Sequence, residues 1–130
     1  MIRYRTPTIT VALLAVVLLA SCASLRPDAD PVLVRAEQAL VVSFEMTDAF
    51  LRIERANQAA MTAVVPGAHE VAESIRVKGP ASFRALEEAI SAYRDNRDAE
   101  HRATLLTWLA VCEQLAHDAQ VVLAQWGGGR

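Results

Sequence analysis

Aromatic residues are scarce in this chain, at 5% of 130 residues, and helix breakers are few, with five glycines and five prolines. A sandwich or barrel of strands draws on aromatic and β-branched side chains, so this composition argues against one. Abundant alanine favours helices packed through small side chains. Basic residues are in no excess, 13 against 15 acidic, and no basic run lines the chain. Nucleic-acid binding therefore has no electrostatic footing, and neither has a polybasic grip on anionic lipid. Apolar residues, at 53%, are too many for an extended disordered body.

Reactive chemistry is equally thin. The histidines, His69, His101 and His117, are scattered. The nearest ligand-like spacing is Glu113-x-x-x-His117, one helical turn apart, which reads as a surface ion pair because two ligands are too few for a metal. No His-Glu-x-x-His, Cys-x-x-Cys-His, Glu-x-x-His, Gly-x-Ser-x-Gly or glycine-rich phosphate loop occurs. Glu87-Glu88 and the alternating charges from Arg94 to Arg102 read as solvated surface. Cys112 falls in phase with core leucines and reads as a buried, inert thiol. No cofactor and no metal is expected, and the chain is expected not to be an enzyme.

The amino terminus is more informative. Arg3 and Arg5 precede an apolar run over residues 9–20, and small residues follow it. That is the order of a secretory signal. Leu19-Ala20-Ser21-Cys22 closes the run and resembles the lipobox of bacterial lipoproteins. The resemblance covers residues 1–22. It implies a signal peptide over 1–21, cleavage before Cys22, a diacylglyceryl group on the Cys22 sulfur and fatty acid such as palmitate on the new terminus. It also implies a cell-envelope address on the periplasmic side, with Ala23 after the cysteine favouring the outer membrane. Two alternatives stay open: cleavage after Ala23 with release, or persistence of residues 8–25 as an uncleaved helix. Without residues 1–21 the balance is 11 basic against 15 acidic residues.

Residues 22–30 read as a tether, 31–126 as a helical bundle and 127–130 as a flexible tail. Asp30-Pro31 predicts a helix start, since aspartate caps free N–H groups and proline suits the first turn. The first helix is predicted over about 31–64. Its seam is assigned to Ala39, Met46, Ile53 and Ala60 with Val42, Ala49, Ala56 and Ala63. Phe44, Phe50 and Leu51 widen that stripe. Pro66-Gly67 ends the helix, with Gly67 expected in the left-handed region. The second helix is predicted from about Ala68 to Asn96 as one piece kinked near Gly79-Pro80, because Ala72, Ile75, Gly79, Ser82, Leu86, Ala89 and Tyr93 keep one phase through the proline. Two helices parted by a short loop are the alternative. Asp95 or Asp98 caps the third, with Asp98–Arg102 as an ion pair. Its seam runs Leu105, Leu109, Cys112, Ala116, Ala119, Leu123 and Trp126. Short connections give an all-α, antiparallel, up-down-up three-helix bundle.

Beyond the lipobox, the body loosely resembles small alanine-rich helical lipoproteins of bacterial and prophage genomes. The expected function is a membrane-tethered interaction module, bound to the membrane through its lipid and to a protein partner or a second copy through a helical face. Trp108 and Trp126 are the candidate partner contacts. The alternative is a carrier holding a small apolar ligand beside the small residues at 42, 49, 56 and 63.

Overall fold

The computed structural model describes residues 29–129. Cys22, the leader and most of the predicted tether lie outside them. Among the described residues there are three helices and no strand: α1 Pro31–Val64, α2 Ala68–Asp95 and α3 Ala99–Gly128. Each helix packs on both others, and the connections are three residues each, so the bundle is antiparallel between neighbours in sequence.

The predicted caps form, with two corrections. The Asp30 carboxylate accepts from the N–H groups of Val32 at 2.9 Å and Leu33 at 3.4 Å. Asp98 caps α3 by accepting from the His101 N–H at 2.8 Å. Its side-chain partners are the His101 ring, Nδ1 at 2.8 Å, and the Asn96 amide, which donates at 2.8 Å, rather than Arg102. Gly67 is not left-handed; its φ is −84°. The turn is made instead by Val65, extended at φ −126° and ψ 90°, as a residue before proline must be. The carboxyl end of α3 extends two residues into the glycine run, to Gly128.

Two layers of apolar side chains fill the interior. One joins Leu33 and Ala36 to Leu86, Ile90, Leu105 and Leu109. The other joins Phe50 and Met61 to Ala72, Ile75, Leu115 and Val122. Chain order places buried Ser43, Thr47 and Ser82 between the layers. In α2 every residue of the predicted phase is buried, Ala72 to Tyr93. The third seam also forms, with Leu115 and Val122 more deeply buried than Ala116 and Leu123.

The first seam is different. The buried residues of α1 are Leu33, Ala36, Ser43, Thr47, Phe50, Glu54 and Met61. This set lies one residue beyond the predicted one, a rotation of about 100°. Val42, Ala56, Ala60 and Ala63 face solvent. The reason is that the polar residues of the true seam have their partners, in α1 itself or in the next helix. The Thr47 hydroxyl, for example, donates to the Ser43 carbonyl at 2.9 Å.

Helix α2 runs unbroken through Pro80. A departure from helical backbone occurs in α1, at Asn57, with φ −133° and ψ 22°. The Asn57 side-chain amide donates to the Ile53 carbonyl at 2.9 Å, taking the acceptor that a regular backbone N–H would use. The break has an architectural consequence. Arg35 pairs with Glu113, and Val64 lies within van der Waals reach of Gly129. Val64 is 29 residues beyond Arg35, whereas Gly129 is only 16 beyond Glu113. Straight parallel helices would leave these ends about 20 Å out of step. The bend returns the last turns of α1 across the bundle, burying Met61 completely.

A methyl group at Gly79 would meet Phe83 at 3.5 Å and Ile75 at 3.7 Å, ordinary contact distances. Gly79→Ala is therefore expected to stabilise the protein by about 0.5–1 kcal/mol, through helix propensity alone. A chemical-denaturation midpoint that falls on this substitution would show that α2 needs the glycine for close packing.

Candidate functional site

The most unusual chemistry in the bundle surrounds Glu54. The residue is 1% exposed. One carboxylate oxygen receives the Arg76 guanidinium. The other lies 3.0 Å from Nδ1 of His69. Arg76 also binds Glu73 one turn away, and the Gln58 amide nitrogen lies 3.0 Å from the same His69 nitrogen. One ring nitrogen carries one proton or one lone pair. With the carboxylate ionised, Nδ1–H donates to Glu54, and the Gln58 nitrogen adds no second bond there.

Burial pushes the Glu54 carboxyl upward, but the bonds from His69 and Arg76 and the charge of Arg76 outweigh it and hold it below its ordinary value. The bond to Glu54 raises Arg76 in turn. The pair is structural in its effect: it locks the phase of α1 against α2. Its sequence signal was available. Glu54 has no basic residue three or four positions away, and His69 and Arg76 lie seven apart on one face of α2.

A second polar tie fixes the start of the bundle. The Tyr93 hydroxyl donates to the Asp30 carboxylate at 2.8 Å. That bond leads the influences lowering Asp30 and raising the Tyr93 phenol. Asp30 thus caps α1, grips the end of α2 and marks where the preceding chain joins the bundle.

The remaining sequence candidates distribute as follows. Trp108 is half-buried against the layer containing Leu33 and Leu109. Trp126 is half-buried against the layer containing Phe50 and Met61. The two tryptophans therefore rest on separate layers, each lending most of its ring to the core. Cys112 is fully buried, its thiol directed to the Ser82 carbonyl at 3.5 Å and pushed by burial up to about 11. Glu113 does not pair with His117; Arg35 of α1 holds it with three bonds, 2.9, 3.0 and 3.3 Å. The charges between Arg94 and Arg102 are exposed, apart from the half-buried His101. Among the described residues no group of three metal-ligating side chains forms.

An apolar groove between α1 and α2, about 240 Å³, is lined by Phe44, Leu51, Ile75, Pro80 and Phe83. Phe44 meets Phe83 edge-on at 5.6 Å. The groove is below the roughly 300 Å³ at which small-molecule pockets begin. Among the described residues no helix is long and apolar enough to cross a membrane. Compared with known proteins, the chain matches no family model, no curated protein and no solved structure.

Removing one partner of the buried pair should be costly and asymmetric. Arg76→Met strands the Glu54 carboxylate and is expected to cost about 3–5 kcal/mol in urea unfolding. Glu54→Met costs less, because Arg76 keeps Glu73 and reaches solvent. The double variant returns close to wild-type stability. A depressed carboxyl stabilises above its ordinary range, and that contribution is lost as pH falls through the range and below. The double variant should therefore lose less stability than wild type on acidification. Equal losses would mean that the carboxyl of Glu54 is not held below its ordinary range by folding.

Proposed function

We propose that the chain is a lipid-anchored, non-enzymatic protein of the bacterial cell envelope that presents a helical bundle to a macromolecular partner. Leu19-Ala20-Ser21-Cys22 carries the reading, since a lipobox-like motif ends the apolar run just where acylation would occur. Cys22 precedes Asp30 by eight residues. At full extension that is a reach of about 28 Å. Asp30 is held by α1 and Tyr93, so a tether pulls on a fixed corner of the bundle. Two or three acyl chains anchor durably where one does not. The bundle then works in a thin layer beside the bilayer, on the periplasmic side and, by Ala23, at the outer membrane.

Outward apolar side chains support an interaction role. Val42 is 60% exposed, Phe44 55% and Val77 75%. Of the small residues behind the ligand-carrier alternative, Val42, Ala56 and Ala63 are exposed and Ala49 is half-buried, and Val42 lines an open surface groove between α1 and α3 of about 360 Å³, which gives that alternative less support than the interaction role.

Intact-mass analysis of protein from cell membranes should give a mature species beginning at Cys22 and carrying fatty acid. Palmitate labelling should vanish in Cys22→Ser, and globomycin should leave the precursor uncut. A mature chain beginning elsewhere, or one without fatty acid, overturns the proposal.

A further inference from the structure

The apolar groove between α1 and α2 asks nothing polar of an occupant. Buried Ile75 and Gly79 form its floor, and Phe44 and Phe83 stand at its end nearer Asp30. Each polar side chain that lines it already has a partner. The Thr47 hydroxyl donates to the Ser43 carbonyl. Asp48 pairs with Arg52, and Arg76 with Glu54 and Glu73. What the groove offers is hydrocarbon contact.

The groove also lies in line with the point where the preceding chain joins the bundle. Asp30, Glu37, Val41, Phe44, Asp48 and Leu51 follow one another in steps of seven, four and three residues, which is one stripe of α1. Tyr93 holds Asp30 at the head of that stripe, on the side facing α2. Val41 and Phe44, 54% and 55% exposed, lead from it to the groove.

We propose that one fatty acyl chain carried by Cys22 lies in this groove when the protein is out of the bilayer. The inference rests on the lipid-anchor reading and gives the anchor a second resting place. Reach selects the occupant. Phe44 is 14 residues beyond Asp30, about 21 Å along the helix. The eight residues from Cys22 to Asp30 extend to about 28 Å, so Cys22 reaches the groove by folding back along the stripe. A tethered apolar group is held there at high effective concentration, an advantage that a free apolar molecule lacks. Shape selects a chain over a membrane surface. The recess between two helices admits a single chain, whereas Asp48, Arg52 and Glu73, exposed around it, hold a flat bilayer off. From Phe44 to Leu51 is about 10 Å. A palmitoyl chain crosses half of a hydrocarbon core about 30 Å thick, so the groove holds part of one chain. A bilayer covers a chain on every side and is preferred where there is one. The groove is filled in water, on the way from the membrane where acylation takes place.

Photo-cross-linking of the full mature protein tests this. Cells receive a palmitate analogue with a diazirine at its far end. Light and heavy-isotope protein is purified in detergent, mixed, and moved to detergent-free buffer or to phosphatidylethanolamine vesicles before irradiation. In buffer, peptides containing Phe44, Leu51 or Phe83 should carry the Cys22 lipopeptide of the same chain. In vesicles that adduct should fall by about tenfold or more. Phe44→Arg sets a charge against the hydrocarbon and should cut the buffer adduct by about tenfold or more, at unchanged helix content by circular dichroism. The inference is overturned if the buffer adducts join light chains to heavy ones, if they fall outside the groove, or if the groove peptides carry phospholipid instead. Intact mass is read on the same samples. Fatty acid on Cys22 without a groove adduct removes only this inference, whereas Cys22 without fatty acid removes the anchor and the inference with it.

Discussion

A carboxylate inside a slim helical bundle is tolerable only if its charge is answered, and at Glu54 the answer comes entirely from α2. Arg76 and His69 take one oxygen each. An unpaired charge in this position would cost several kcal/mol, so α1 has little freedom to rotate away. The phase of the longest helix is thereby tied to two residues of its neighbour. The seam that follows places Ser43, Thr47 and Glu54 inward and leaves a more apolar set, Val42, Ala56 and Ala63, outside.

The bend at Asn57 depends on that phase. It comes just after Glu54 and turns Met61 into the lower layer, against Ala72 and Leu115. Without it the end of α1 would overrun the bundle. With it, the three-residue turn through Pro66-Gly67 can deliver α2 in register for His69 and Arg76. The buried pair and the bend therefore support each other across the same turn.

The same packing decides which surfaces are left for partners. Arg35 reaches across to Glu113 and draws that charge aside from the outer ridge of α3. Gln114 does the same for Asp118. From Ala103 to Gly128 the exposed residues of α3 include no Asp, Glu, Lys or Arg. The chain beyond Asp30 joins the bundle at the corner fixed by Tyr93.

The order and extent of the helices were legible in the sequence because they depend on local chemistry. Asp30-Pro31, Pro66-Gly67 and Asp98 set the ends through backbone N–H groups and φ restrictions a few residues away. The phase of α2 was legible through Pro80 because its seam is mostly apolar. The lipobox resemblance is likewise a matter of contiguous residues. The candidate site was only partly legible: Cys112 was placed correctly, whereas Glu54, His69 and Arg76 were not brought together. Only tertiary structure decided the rotation of α1, its bend and the covering of its polar seam. Hydrophobic periodicity assigns a buried face by apolarity, and it fails where a polar face is buried with its partners supplied from another helix. The cost of burying Glu54 is cancelled by residues 15 and 22 positions away, a distance no local pattern spans.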